Sequence, residues 1–340
     1  MLNFGKKKIS MENKLKRWGY APKKYGVASQ NEPAEDVYVD CNVRLYPDMI
    51  LAYKKFAELF DLDLDQFILC NGGENAMKAA LLALKPKDLT WFVPTWKMPE
   101  VLCAALDIKP VMKEFQYNQE KREIFTPRLT EDVKGDCFYS NYGNSSLFSY
   151  QGMYEPSLLG WNPSFKHTII DLTYLDYKCM KNAVGNLLRG SPDNIIIGSF
   201  DKAIGCGLRL GFVIFNPKYN EAMQLQREQY INMCAYNWLL SVVETDFDIF
   251  YQKNPLRDKL DENLISFMDL PTDWTLNNNY FTVPYNVELN LNEIHFKIGE
   301  KDFTKFGIPQ ESDKDSLNKI CWMVKSLLDR EYKNGNPKKN

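Results

Sequence analysis

The 340-residue sequence contains very little histidine, with His167 and His295 as its two copies. We therefore expect neither a histidine-based catalytic triad nor a metal site. Its eight cysteines are spread along the chain, so no C-x-x-C zinc or redox motif is present. In a chain of this length we expect reduced thiols in a cytoplasm rather than a disulfide framework. The chemistry must come from lysine, carboxylates, hydroxyls or a cofactor.

The sequence also lacks a charge bias and long apolar runs. Its 42 Lys and Arg stand against 44 Asp and Glu, which leaves a formal net charge of -2 and no signature of nucleic-acid binding. Apolar runs such as 195–197 and 212–215 stop far short of the roughly 20 residues that a membrane helix needs. We expect a small-molecule ligand, with no nucleic acid and no membrane as partner.

What the chain does contain is a repeated alternation of short apolar runs and helical segments. The run 67–70 (FILC) leads through Asn71, Gly72 and Gly73 into a strongly helix-forming stretch. Similar runs recur up to residues 210–215, after which one long helix is predicted over about 218–243. This alternation predicts an α/β fold in which helices cover both faces of a mostly parallel sheet.

The pattern changes after residue 244. A helix near 256–268 is followed by strand-like residues 274–285, which mix aromatics with Asn, and by a helix over about 315–332. Length alone favours about two domains. We expect an N-terminal arm at 1–40, which belongs partly to the small domain, and a large cofactor domain at 41–244. A small α+β domain at 245–334 and a frayed tail at 335–340 follow.

Residues that follow the predicted strands are the candidate ligand-binding residues, because open α/β sheets bind ligands outside the carboxyl ends of their strands. Gly73 opens a helix whose N–H groups suit a phosphate, and Asp171 ends a strand. Ser199, Lys202 and Arg209 follow the next one. Singly, each has an ordinary explanation as a turn, a cap or a surface residue. Together, they suit an aldehyde cofactor that bears a phosphate and bonds to a lysine.

The run IIIGSFDKAIGCGLRLGFVIFNP resembles the cofactor-lysine segment of pyridoxal-phosphate (PLP) aminotransferases of fold type I, in their histidinol-phosphate aminotransferase-like branch. Further segments match in the same order, over about residues 42–243: VRLYPD, ILCNGGENAMKAAL, VPTWKMPEV, SNYGNSS and IIDLTYLDY. The resemblance implies the fold type I architecture, with a large domain and a small domain built from both chain ends.

The resemblance also implies roles around the cofactor ring. Lys202 would form the Schiff base and move a proton at the substrate's α-carbon. Asp171 would face the pyridine nitrogen and keep it protonated. Tyr174 and Asn144 would hydrogen-bond the phenolic oxygen, and Trp96 would stack on the ring. Without the resemblance, the aromatic residues are expected to be packing residues and Asn144 a turn residue.

The same resemblance implies a phosphate site shared between two subunits and hence a homodimer with composite active sites. Its members would be the backbone N–H groups of Gly73 and Glu74, the side chains of Ser199 and Arg209, and Tyr46 of the partner subunit.

Three features depart from the family pattern. Asp201 stands where the family often has a hydroxyl residue, and its charge would repel a phosphate unless it is turned away or paired. The loop SNYGNSSLFS leaves Asn141 and Asn144 as alternatives for the cofactor asparagine. Phe303 stands where an arginine usually grips the substrate's anionic group, and Lys305, on the same face of a strand by its two-residue period, is the candidate replacement.

The resemblance favours an aminotransferase that moves an amino group between an amino acid or amine and a keto acid. The same fold and lysine serve PLP-dependent decarboxylases of the phosphoserine or phosphothreonine type, which is the first alternative. The second is a non-catalytic binding protein that keeps the fold, and Asp201 and Phe303 support this alternative.

Overall fold

The computed structural model describes residues 49–125, 135–141, 165–175, 177–203, 207–228, 230–242, 255–263, 265, 270–271, 273–276, 280–309 and 312–333. Tyr46 and Asn144, two of the site residues predicted from the sequence, lie outside these residues, as do the N-terminal arm and the tail.

The described residues form strands that alternate with helices along most of the chain. The strands are β1 (Phe67–Cys70), β2 (Asp88–Val93), β3 (Lys109–Glu114), β4 (Gln116–Asn118), β5 (Glu123–Phe125), β6 (Gly135–Asn141), β7 (Phe165–Asp171), β8 (Asn194–Ser199), β9 (Gly211–Phe215), β10 (Thr275–Leu276), β11 (Tyr280–Val283), β12 (Ile294–Ile298) and β13 (Lys301–Gly307).

The helices are α1 (Met49–Phe60), α2 (Gly73–Leu84), α3 (Met98–Leu106), α4 (Tyr177–Gly190), α5 (Phe200–Ala203), α6 (Asn220–Gln224), α7 (Met233–Ser241), α8 (Pro255–Glu262) and α9 (Lys314–Lys333). A short 3₁₀ helix, Pro217–Tyr219, precedes α6.

Seven of the described strands form one sheet in the order β1-β9-β8-β7-β6-β2-β3. Strands β8, β7, β6, β2 and β3 run parallel, whereas β9 is antiparallel to both of its neighbours, β1 and β8. The α/β fold with a mostly parallel sheet, predicted from the sequence, is confirmed.

Both faces of this sheet are covered, which is why its central strands are continuous apolar runs rather than alternating ones. All residues of β1, β8 and β9 are buried. On one face, Phe56 of α1 packs against Phe67, Phe200 and Phe212. On the other face, α2 contributes Ala76, Met77 and Ala80 to a second apolar cluster with alternate residues of the strands, among them Ile68, Cys70, Ile169, Ile195, Ile197 and Val213.

A second sheet has the antiparallel order β10-β11-β13-β12. One apolar cluster joins it to α8 and α9 through residues such as Phe281, Phe306, Leu260 and Ile320. Another joins β12 and β13 to Phe92 and Phe138 of the large sheet. The expected antiparallel strands are therefore present. The domain limits stay predictions, because residues 243–254 between the two sheets are not described.

The long helix predicted over 218–243 is wrong, because α6 ends at Gln224 and α7 begins at Met233. Asn232 is the cause of the restart. Its backbone is extended (φ -62, ψ 153), and its side chain accepts a hydrogen bond from the Ala235 N–H, which caps α7.

Across the described ranges, no helix combines the length and the apolar character that crossing a membrane requires.

Candidate active site

The predicted site residues converge at the carboxyl ends of adjacent strands. Asn141 ends β6, Asp171 ends β7 and Ser199 ends β8, and the register places Asn141 directly opposite Asp171. One-turn helix α5 follows β8 directly and carries Lys202, whose side chain is exposed. This edge is where parallel α/β sheets bind their ligands.

A glycine turn and Arg209 form one wall of the site. Gly72 has φ +90, and a Cβ added there would lie 2.9 Å from the Arg209 Cζ. A Cβ on Gly211 would lie 2.3 Å from the Gly72 carbonyl oxygen. Only residues without side chains allow the turn, the start of β9 and the Arg209 guanidinium to lie this close.

The first turn of α2 faces two hydroxyl residues. A Cβ on Gly73 would lie 3.4 Å from both the Ser199 Cβ and the Thr173 Oγ1. The first N–H groups of a helix have no partner within the helix and carry its positive dipole end, so this corner suits a phosphate. The Glu74 side chain is exposed, which leaves its backbone N–H as the group it can offer. Sequence reasoning missed Thr173, although it stands in the strand-end position beside Asp171.

The break between α6 and α7 holds the glycine turn in place. A carboxylate oxygen of Glu228 accepts the Asn71 backbone N–H at 2.8 Å and is also bonded by the Asn71 side-chain amide. The Asn232 backbone N–H donates to the Asn71 Oδ1 at 2.9 Å. Asn71 directly precedes Gly72, so the segment expected to be helical instead anchors the turn.

Asp201 is paired with Arg209. Its Oδ1 accepts the Arg209 backbone N–H at 2.5 Å, and its Oδ2 lies 3.8 Å from the Arg209 Nη1. The backbone of Arg209 has φ +55, in the left-handed region, and this hydrogen bond holds it there. Asp201 departs from the family pattern, but its negative charge is therefore paired with Arg209.

The Asp171 carboxylate is fully enclosed, with 2% of its surface exposed. The Tyr139 hydroxyl donates to its Oδ2 at 2.9 Å, and the Thr173 backbone N–H donates to its Oδ1 at 2.9 Å. Burial raises the pKa of Asp171 above its ordinary value, while the hydrogen bonds from Thr173 and Tyr139 oppose that rise. Sequence reasoning also missed Tyr139.

Asn141 lies beside the same carboxylate. Its side chain hydrogen-bonds Tyr139, and its Oδ1 is buried without a hydrogen-bond partner among the described residues. A buried acceptor that lacks a partner marks a position where a ligand atom can complete the network. The choice between Asn141 and Asn144 as the cofactor asparagine stays a prediction, because Asn144 is not described.

Lys305 brings a second amine to the site. Its Nζ lies 3.6 Å from the centroid of the Tyr280 ring, and that ring lies 5.8 Å from the ring of Tyr174. Burial, followed by the positive charge of Lys202, lowers the pKa of Lys305 to about 8. The positive charge of Lys202 therefore acts on Lys305, and the Tyr174 ring contacts Tyr280 of the second sheet.

Phe303 is occupied by packing. It stacks on Phe296 with ring centroids 5.5 Å apart and meets Tyr117 edge to face at 5.7 Å. Lys305 lies on the same face of β13, since Phe296 and Ile294 of β12 are opposite the two residues in register. The cation on this face is therefore two residues further along the strand than the family pattern expects.

Trp96 lies on the loop that leaves the carboxyl end of β2, and 36% of its surface is exposed. Its position at this edge leaves the ring available to a ligand. Among the residues that the structure describes, no group of three or more His, Cys, Asp or Glu side chains is arranged to hold a metal ion.

Solved structures with the same fold are aminotransferases and decarboxylases by name. The histidinol-phosphate aminotransferase from Clostridium acetobutylicum matches at 15% identity and a TM-score of 0.59, over 84% of this chain and 92% of that one. Aspartate aminotransferase from Thermotoga maritima matches at 16% identity and a TM-score of 0.55, over 81% of each chain. L-threonine-O-3-phosphate decarboxylase from Porphyromonas gingivalis matches at 12% identity and a TM-score of 0.52, over 82% of this chain and 88% of that one.

Comparison with models of protein families gives no match, and comparison with curated protein sequences gives none either. The likeness is therefore one of structure. It establishes the fold type I architecture that the sequence resemblance implies.

Proposed function

We propose that this chain is a PLP-dependent enzyme and that it catalyses amino-group transfer. One observation carries the proposal. The added Cβ positions of Gly72 and Gly73 fall against Arg209, Ser199 and Thr173, so the absence of side chains at the start of α2 brings a guanidinium and two hydroxyl residues up to its first backbone N–H groups. Guanidinium, hydroxyl and helix N–H groups together are the donors that a phosphate monoester requires.

The residues around this corner fit the rest of the cofactor. PLP supplies an aldehyde that bonds to an amine and a ring that accepts the electrons released at the substrate's α-carbon. Lys202 offers the amine and afterwards carries the proton at that carbon. The Asp171 carboxylate would pair with the ring nitrogen and favour its protonated form, Trp96 would cover the ring, and Tyr174 would donate to the phenolic oxygen together with Asn141 or Asn144.

Lys305 binds the anionic group of the amino substrate. Its ammonium lies against Tyr280 and within electrostatic range of Lys202, so a substrate whose amine is at Lys202 can reach Lys305 with a carboxylate or phosphate. A lysine attracts an anion as a point charge, whereas an arginine grips it with two parallel hydrogen bonds. We expect the acceptor to be a keto acid with the same anionic group.

Decarboxylation of an amino acid is the second candidate function, and Phe303 favours it. Removal of a carboxylate requires that its bond to the α-carbon stand perpendicular to the cofactor ring rather than be held in another plane. Phe303 stacks on Phe296, so this position lacks the arginine that would bind a carboxylate with two hydrogen bonds in the aminotransferase pattern. The similarity to L-threonine-O-3-phosphate decarboxylase keeps this reaction within the fold.

A non-catalytic binding protein is the third candidate. Of the two residues that support it, Asp201 and Phe303, the first no longer does. Asp201 is paired with Arg209 and so leaves the phosphate corner usable.

We further propose a homodimer whose two active sites are each completed by Tyr46 of the partner subunit. Co-expression of Tyr46→Phe with Lys202→Ala chains tests this. In a mixed dimer, one site then receives both intact residues, and that site recovers activity that neither variant has alone. Activity no greater than the sum of the two separate variants contradicts a shared site.

The function is tested by adding PLP to the purified protein and recording the visible absorbance band of a lysine-bound cofactor. The band is expected in the wild type and in Lys78→Ala, which removes an exposed lysine from α2, and is expected to be lost in Lys202→Ala. Formation of a keto acid from an amino donor then supports transamination, and release of carbon dioxide supports decarboxylation. A wild type without the band contradicts the PLP assignment.

A further inference from the structure

The buried Tyr139 hydroxyl has no part in the roles assigned so far, yet it touches the most enclosed carboxylate of the site. We propose that Tyr139 is a positioning residue, whose hydroxyl fixes the orientation and the negative charge of Asp171 so that the carboxylate can pair with a cofactor ring nitrogen. The inference rests on the proposed function, because it requires that nitrogen to lie opposite Asp171.

The two residues are held on neighbouring parallel strands. Tyr139 is opposite Ile169 in the register of β6 and β7, two residues before the pair Asn141 and Asp171. Both side chains are 2% exposed, and the hydroxyl donates to the Asp171 Oδ2 at 2.9 Å. Because hydrogen-bonded strands cannot shift independently, the donor and the acceptor keep this geometry without support from a loop.

Three hydrogen bonds hold the carboxylate, from the Tyr139 hydroxyl, the Thr173 backbone N–H and the Thr173 side chain. Tyr139 bonds Oδ2, and the Thr173 backbone N–H bonds Oδ1 at 2.9 Å. Two bonds to separate oxygens stop rotation of the carboxylate about its bond to Cβ. A carboxylate has about four lone-pair sites, so these hydrogen bonds leave it able to accept a further donor.

The hydrogen bond also acts on the charge of Asp171. A carboxylate this deeply buried is driven towards its neutral form, and burial indeed raises its pKa. The Tyr139 hydroxyl opposes that shift. Burial, followed by the charge of Asp171, raises the pKa of Tyr139 itself well above its ordinary value, so the phenol keeps its proton and remains a donor at neutral pH.

Packing alone does not explain the hydroxyl. The Tyr139 ring belongs to the apolar cluster under α2, which also contains Trp91, Ile169 and Cys137. A phenylalanine would keep the ring, so the Tyr139→Phe variant removes the hydrogen bonds of the hydroxyl with Asp171 and Asn141 and leaves the packing in place.

The test compares Tyr139→Phe with Tyr177→Phe in full-length protein loaded with ¹⁵N-labelled PLP. Tyr177 is also 2% exposed, and its hydroxyl donates to the Leu59 carbonyl, so this control loses a buried hydrogen bond away from Asp171. In Tyr139→Phe we expect a roughly tenfold weaker PLP affinity, the effect of losing one hydrogen bond to a buried charge. We also expect its ring-nitrogen signal to move towards the unprotonated position. Tyr177→Phe should change neither.

A double-mutant cycle then asks whether Tyr139 acts through Asp171. In the Asp171→Asn background, Tyr139→Phe should cost no further PLP affinity, because no charge is left to stabilise. Additive losses, or a Tyr139→Phe protein with wild-type affinity and a protonated ring nitrogen, overturn this inference and leave the PLP assignment standing. A wild type that does not bind PLP overturns both.

Discussion

The Asp201 carboxylate holds Arg209 from two sides, with Oδ1 on the backbone N–H at 2.5 Å and Oδ2 3.8 Å from the guanidinium. Arg209 is thereby fixed at φ +55, over the glycine turn that opens α2. A carboxylate that would repel a phosphate if it stood alone thus positions a cation beside this turn.

Asp201→Ala should weaken PLP affinity about threefold, because an exposed ion pair and one hydrogen bond support effects of that size. Asp201→Asn should bind PLP within about twofold of the wild type, since the amide oxygen still accepts the Arg209 N–H. Titration of both variants with PLP measures the difference. Equal losses in the two variants would show that the charge, and not the hydrogen bond, positions Arg209.

Gly72→Ala should lower the free energy of unfolding by about 1–2 kcal/mol and weaken PLP affinity. The added Cβ meets the Arg209 Cζ at 2.9 Å, and φ +90 is unfavourable for alanine. Gly190→Ala is the matched control, because an added Cβ at this last residue of α4 meets nothing within 4 Å. Urea denaturation compares the variants, and equal stabilities would contradict the close approach at Gly72.

Binding of an anionic ligand should depend on the ionisation of Lys305. Burial and the charge of Lys202 lower its pKa to about 8, below the ordinary value for lysine. Only the protonated form attracts an anion, so affinity should be full below pH 8 and fall towards tenfold per pH unit above it.

The measurement is the dissociation constant of propanoate across that pH range in protein without PLP, in which the Lys202 amine is not bonded to the cofactor. Lys305→Arg, whose guanidinium stays charged throughout, should lose the fall in affinity above pH 8. An unchanged pH profile in Lys305→Arg would place the titrating group elsewhere.

Arg122→Met should lower the free energy of unfolding by about 3 kcal/mol, because it leaves buried carboxylates without their cation. Arg122 makes two hydrogen bonds to Glu331, at 2.8 and 2.9 Å, and pairs with the fully buried Asp273 side chain. Arg189→Met, on exposed α4 surface beside Asn186, should change stability by less than about 0.5 kcal/mol. Similar midpoints in urea for the two variants would refute the role of this network.

The sequence predicted those parts of the fold and site that have local signals. Continuous apolar runs such as 67–70 and 195–197 predicted buried strands. Residues at or just after strand ends, namely Asp171, Ser199 and Lys202, do lie at one edge of the sheet. Strand ends in a parallel sheet coincide by topology, so their convergence follows once the alternation is recognised.

Contacts across strands could not be predicted in this way. Tyr139 and Thr173 reach Asp171 from a neighbouring strand and a following turn, and their residue types alone do not distinguish them from packing residues. The helix over 218–243 was predicted wrongly because the cap that Asn232 provides for α7 was overlooked. The bond from the Asn232 N–H to Asn71, far away in the sequence, gives no local signal.

The most direct test of the central claim is reduction of the PLP-loaded protein with borohydride, which makes the lysine bond permanent, followed by mass analysis of its peptides. The account predicts one pyridoxyl phosphate group on the peptide that contains Lys202. A label on the Lys305 peptide instead, or no label on either peptide, would contradict it.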